Sequence, residues 1–166
     1  MASVNFFDSQ YQSEQTKSDI EFGLYDPGDN SPAITTNNHL LSQAVVKNPN
    51  GNPVNFIPID HNIILIDNNG NQLSLCDGLL YVGNTFLAFI ELKDVMRNWI
   101  DEAVGQLENT IEIFKQNHYY LDYRNRRAYA ANKEHPYFNV SRKELMQQFH
   151  QKTGFRLFIQ NTIIVS

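Results

Sequence analysis

Cys76-Asp77-Gly78-Leu79-Leu80-Tyr81-Val82-Gly83-Asn84-Thr85-Phe86-Leu87-Ala88-Phe89-Ile90-Glu91-Leu92-Lys93 decides the fold of this chain. It reads as two apolar β-strands joined at Gly83-Asn84, with the side chains able to do chemistry concentrated at Asp77, Glu91 and Lys93. Strand side chains alternate between faces, so Glu91 and Lys93 project from one face roughly 7 Å apart, close enough to serve one phosphate-sized site. A carboxylate from the neighbouring strand would complete a metal cradle, and Asp77 supplies it if the register allows. The parity of the connection decides. A two-residue loop at Gly83-Asn84 sets Val82 against Thr85 and Asp77 against Ile90, on the face away from Glu91. An odd-length loop or a single bulge returns Asp77 to the Glu91 face, and Gly78 and Gly83 are suitable places for it. The sequence predicts such a connection.

Working outward, residues 62–67 form a β-branched run, and Asn68-Asn69-Gly70-Asn71 contains the Asn-Gly pair of a tight hairpin. Residues 73–82 are then a second strand, apolar on both faces and so central in a sheet. Asp77 in its middle needs a metal, a cation or several hydrogen bonds if it is buried. The other reading is a bulge with Gly78 that lets it reach solvent. Residues 85–93 form the third strand. Beyond it Val95, Ile100, Val104, Leu107, Ile111 and Phe114 recur at helical spacing, with Trp99, Ala103, Gln106, Thr110 and Ile113 as an adjoining row. Gln106, on the margin of that face, is placed to reach back toward the strand ends, although glutamine is also an ordinary helix former. Residues 127–131 read as a fourth strand, parallel to the third because a helix connects them, and Pro136 ends it. Ser141-Arg142-Lys143-Glu144 has the form of a capping box for a helix running to about Lys152, stopped by Gly154. A last strand covers residues 156–165. Upstream, residues 37–47 carry Leu40, Leu41, Ala44 and Val45 at helical spacing and predict a short first helix. Residues 1–36 are polar and broken by Gly23, Pro27, Gly28 and Pro32, and read as a weakly structured extension or short elements over the core.

The 166 residues suit one domain over 37–166 with its N-terminal extension. With 42% hydrophobic and 12% aromatic residues, wholesale disorder is excluded. The single cysteine, Cys76, excludes a disulfide framework and suits a reducing cytoplasm, and no stretch reads as a leader or a membrane span. The five histidines lack ligand spacing for zinc, and no glycine-rich nucleotide loop is present. Charge is uneven. Residues 1–123 carry sixteen carboxylates against five Lys/Arg, whereas residues 124–166 carry two against eight, within a net charge of −5. Arg124, Arg126, Arg127, Lys133, Arg142 and Lys143, interleaved with tyrosines, are the candidate nucleic-acid contacts. Their other reading is as partners of the acidic N-terminal region.

Two carboxylates and a backbone carbonyl, from Asp77, Glu91 and Leu92, offer the oxygen ligands that Mg²⁺ or Mn²⁺ prefers. Such a cation supplies hydroxide at neutral pH and offsets charge growing on a phosphate. Lys93 would orient or help deprotonate the attacking water and stabilise the transition state, with Gln106 holding the lysine or the water.

The order helix, three-strand meander, long helix, strand, helix, strand, with Asp77 on strand two and Glu91-Leu92-Lys93 on strand three, resembles the PD-(D/E)xK nuclease superfamily. The resemblance spans residues 37–166 and extends to Gln106, which matches a helical glutamine of some branches. Cys76 stands where that motif has proline, and residues 37–47 lack the first-helix acid. The resemblance implies an α/β, restriction-endonuclease-like three-layer fold, a mixed central sheet flanked by helices. It also implies a cytoplasmic Mg²⁺- or Mn²⁺-dependent nuclease acting on DNA, for which a homodimer is a natural way to cut both strands. The alternative is a nucleic-acid-binding or assembly module that keeps the fold without cleaving.

Overall fold

The computed structural model describes residues 3–95, 97–134 and 142–166. In chain order its elements are β1 (Glu21–Tyr25), β2 (Ile34–Thr36), β3 (Ala44–Lys47), β4 (Asn55–Pro58), β5 (Gly78–Val82), β6 (Phe86–Lys93), α1 (Trp99–Asn117), β7 (Asn125–Asn132), α2 (Lys143–Thr153), β8 (Arg156–Ile159) and β9 (Thr162–Ile164). The apolar run of β6 sits at the centre, between antiparallel β5 and parallel β7, in a five-stranded sheet of order β4-β5-β6-β7-β8. A second sheet has the order β2-β1-β3-β9.

Alternation along β6 explains the layering. Leu87 and Phe89 join a core with Ala103, Leu107, Ile111 and Phe114 of α1 and Phe149 of α2. Phe86, Ala88, Ile90 and Leu92 join a separate core with Phe22, Leu24, Ala44, Val46 and Ile163 of the second sheet. The result is a mixed α/β protein of three layers, helices on one face of the central sheet and the smaller sheet on the other. Each fully buried Leu, Ile or Phe contributes about 1.5–3 kcal/mol through removal of apolar surface from water, so the doubly covered β6 is the most strongly held element.

Val82 pairs with Phe86 and Gly78 with Ile90. The β5–β6 connection is therefore the three residues Gly83, Asn84 and Thr85, closed by a 3.0 Å bond from Thr85 N–H to the Val82 carbonyl, with Gly83 at φ +49°. This is the odd-length connection expected from the sequence. Continued one step, the register sets Asp77 opposite Glu91, on the helix-facing side that Leu79 and Phe89 share. The long helix and the parallel return strand β7 also follow the sequence reading, and α2 ends at Gly154, φ +79°.

Several expectations are corrected. Residues 37–47 form no helix; they hold a turn and then β3, because Val45 and Val46 ladder onto β1 and β9, while Leu40 is 82% exposed and defines no buried face. Residues 62–67 are not a strand. Ile63 N–H bonds back to Ile59 in a tight turn, and of the expected hairpin only the bridge between Ile66 and Gln72 forms. The strand preceding β5 in the meander is instead β4. The expected strand 73–82 ladders only from Gly78, since Cys76 N–H is taken at 2.8 Å by the Thr110 hydroxyl of α1. Val95 precedes the helix and is half exposed. Residues 156–165 divide into β8 and β9, one in each sheet. Residues 1–36 supply β1 and β2, with Phe22 and Leu24 fully in the second core. Pro136 and Ser141 lie outside the described residues.

Candidate active site

At the end of β6, Asp77 and Glu91 are buried, 6% and 2% exposed. Asp77 is fixed from one side by Leu92, whose N–H donates to Oδ2 at 2.7 Å. The N–H and C=O of one strand residue point to the same edge. Lys93 C=O accepts from Lys133 N–H on the β7 side, so the Leu92 carbonyl leaves by the β5 side, toward Asp77. Glu91 Oε2 lies 3.1 Å from Lys93 Nζ, whereas Oε1, also buried, has no hydrogen-bond donor among the described residues. The two carboxyl groups are within hydrogen-bonding reach of each other, which requires a shared proton or a cation. Burial is the main cause that raises Asp77 to about 7, partly offset by its hydrogen bonds with Glu91 and Leu92. Burial and then the Asp77 charge push Glu91 well above the carboxylate range.

Lys93 is the pivot of the site. Its ammonium reaches Glu91, Glu102 Oε1 at 2.8 Å and Gln106 Oε1 at 3.1 Å. Burial opposes its charge, but Glu91 and Glu102 outweigh it and hold its pKa above the ordinary lysine value. Lys93 is therefore a fixed cation rather than a base. Gln106 is anchored in turn by donating to Ser74 Oγ at 3.2 Å and the Leu75 carbonyl at 3.5 Å. One turn along α1, Thr110 bonds the Gln106 carbonyl and receives Cys76 N–H, tying α1 to the residue before Asp77. Asp77, Glu91, Lys93 and Gln106, singled out from sequence, thus converge on one place. Cys76 is buried with its thiol pushed up, a packing residue.

Sequence reasoning missed Asp26, which walls the site. Asp26 follows β1 and lines a cleft of about 350 Å³ with Leu92, Lys93 and Glu102. Its N–H is held at 2.6 Å by Oε1 of buried Gln43, and its charge acts on both Asp77 and Asp60. Asp60, half-buried, is raised by burial and steadied by His61 Nε2 at 3.3 Å; His61 itself adopts φ +63°, a strained value for a residue with a side chain. Asp60-His61, which in the sequence precedes the expected first strand and reads as an ordinary loop pair, lies between β4 and β5; for Asp26 the only signal was the turn composition Asp26-Pro27-Gly28.

The expected nucleic-acid contacts do not gather at this cleft. Lys133 lies at the same sheet end but donates to the Leu40 carbonyl. Arg124, Arg126 and Arg127 lie at the start of β7, where Asn125 faces Phe86, roughly 17 Å along the sheet from Glu91 at 3.3 Å per residue. Arg142 and Lys143 begin α2, whose other end approaches those arginines.

The donor set tests favourably for a hard divalent cation. Two carboxylates and one carbonyl are oxygen ligands, and the buried Glu91 oxygen without a donor marks where positive charge is wanted. Among the described residues no group of three His, Cys, Asp or Glu side chains forms a ready metal cluster. No helix among them is long and apolar enough to cross a membrane. No protein-family model, curated protein or solved structure matches the chain.

Proposed function

We propose that this chain is a Mg²⁺- or Mn²⁺-dependent nuclease of the restriction-endonuclease-like kind, hydrolysing phosphodiester bonds of DNA in the cytoplasm. The observation that carries the reading is the facing pair Asp77 and Glu91, with Glu91 Oε1 buried and without a donor and the Lys93 ammonium 3.1 Å from Oε2. Asp77, Glu91 and the Leu92 carbonyl would hold the cation. When bound, such an ion activates water at neutral pH and offsets charge on the phosphate.

The chain's own residues do the rest. Leu92 N–H and the strand register aim the Asp77 carboxylate, so it needs no reorientation to bind. Lys93 stabilises negative charge as it grows on the phosphate oxygens, and orients the attacking water. Gln106 and Glu102 restrict Nζ to one position. Half-buried Asp60, raised by its burial, interacts electrostatically with Asp77 and Lys93 and is a candidate proton carrier. A homodimer would bring two such sites to the two strands of a duplex.

The direct test is cleavage of single- and double-stranded DNA by wild type and Glu91→Ala with Mg²⁺ or Mn²⁺, and with EDTA. Metal-dependent cleavage absent from the variant is expected. No cleavage, together with no rise in thermal stability at millimolar Mn²⁺, would favour a non-catalytic module instead.

A further inference from the structure

At the end of the central sheet remote from the carboxylates, β7 and β8 begin side by side. Arg124, Asn125, Arg126, Arg127, His150 and Arg156 line an open notch of about 200 Å³ there. Among the described residues none of the four arginines pairs with a carboxylate. Two are braced. Arg126 donates from Nη1 to the Tyr123 carbonyl at 2.9 Å and from Nε to the Gly154 carbonyl at 3.3 Å. Arg127 donates to the Ile164 carbonyl at 2.7 Å and to Ser166 Oγ at 3.0 Å, with its guanidinium 5.3 Å from the Phe86 ring. Carbonyls and rings orient a guanidinium without neutralising it, so both positive charges are kept at this sheet end, one on each face. Arg124 and Arg156 are exposed, and Arg156 lies over the Phe158 ring at 5.0 Å.

Four arginines frame this sheet end in a protein whose net charge is −5, Arg126 on the helix side and Arg127 and Arg156 on the side of the second sheet. An anion with several acceptor oxygens at the rim between them is attracted from both sides. We propose that this notch anchors a phosphate of a nucleic-acid backbone, at a place separate from the carboxylate site. Its distance from Glu91, roughly 17 Å, corresponds to about five phosphates along one strand of a duplex at 3.4 Å each. The notch is open rather than enclosed, which suits one phosphate of a passing polymer. The identity of the anion rests on the nuclease reading, while the existence of the anchor does not.

The experiment is fluorescence anisotropy of a labelled 20-base-pair duplex with the full chain, without divalent metal, over a range of salt. Wild type is compared with Arg124→Ala/Arg156→Ala, two exposed positions that the fold does not depend on, and with Arg124→Lys/Arg156→Lys. The alanine pair is expected to weaken binding tenfold or more and to lower the slope of log K against log salt by about 0.9, the value of one lost phosphate contact. The lysine pair is expected to keep the slope. Unchanged affinity and slope in the alanine pair would overturn the anchor. So would millimolar inorganic phosphate binding through these arginines while duplex does not bind. Arginine-dependent duplex binding in a protein that never cleaves would instead remove the nuclease reading and leave the anchor standing.

Discussion

Leu92 N–H donates to Asp77 Oδ2 at 2.7 Å, joining the residue just before β5 begins to the last rungs of the β6 ladder. The bond holds a carboxylate in place inside a core, and an amide oxygen would accept it equally well. Asp77→Asn should therefore fold, and at pH 8 in EDTA it should melt higher than wild type, because the variant removes one of two buried like charges. Its metal-dependent cleavage should fall by 100-fold or more, in the range of lost charge-stabilising groups. A variant both less stable and fully active would assign Asp77 a structural role.

Lys93→Met keeps the aliphatic stem and removes the charge. Cleavage should drop by about 10² to 10⁴, in the range for a lost charged catalytic group. Mn²⁺ binding, followed by titration calorimetry, should survive, since Asp77, Glu91 and Leu92 are untouched. Gln106→Leu frees Nζ without removing it and should cost less, lowering kcat more than it raises KM. Retained activity in Lys93→Met would end the proposed role of that ammonium.

Stability should fall with rising pH in the absence of metal. Burial raises Asp77 to about 7, against 3.9 in an unfolded chain, so between those values the folded state retains a proton that the unfolded state has released. The stability present below pH 4 is lost as pH rises toward 7, by at most about 1.4 kcal/mol per pH unit for one such group. Urea unfolding at pH 5 and pH 8 measures it. Glu91→Gln should flatten the dependence, and Mg²⁺, which favours the ionised pair, should reduce it.

Gly154 ends α2 at φ +79°, and a β-carbon there would stand 3.2 Å from Cε2 of Tyr120. Gly154→Ala should cost about 1–2 kcal/mol in urea unfolding, through left-handed strain and that close approach. The loss should leave metal binding unchanged, because the residue lies at the notch and not at the cleft.

The centre of the fold was legible because its signals are local. Phe86 to Leu92 is an apolar run interrupted only by Glu91, and the helix after it repeats every three to four residues. Even the loop parity could be argued, since a metal cradle needs Asp77 and Glu91 on one face. What failed was non-local. Nothing in Ile159-Gln160-Asn161-Thr162 says that the chain changes sheets there, and Val45 and Val46 become a strand only because β1 and β9 offer partners. Asp26 is far from Asp77 in sequence and reaches the cleft only through the second sheet. The basic residues were counted correctly, but the β6–β7 register was needed to see that Arg124, Arg126 and Arg127 lie at the wrong end for the cleft.

The change of sheets at Gln160-Asn161 also bears on the order in which the molecule is built. Val45 pairs with Thr162, so β3 waits for a partner made much later in synthesis, and such distant contacts form slowly. Until β9 arrives, Ala44 and Val46 have an open edge, and the sheet that carries Asp26 to the cleft is incomplete. The carboxylate pair, held by β5, β6 and α1, can assemble first. The cleft beside it gains its finished outer wall once β9 has joined β3, so binding at the site matures later than the carboxylate pair itself.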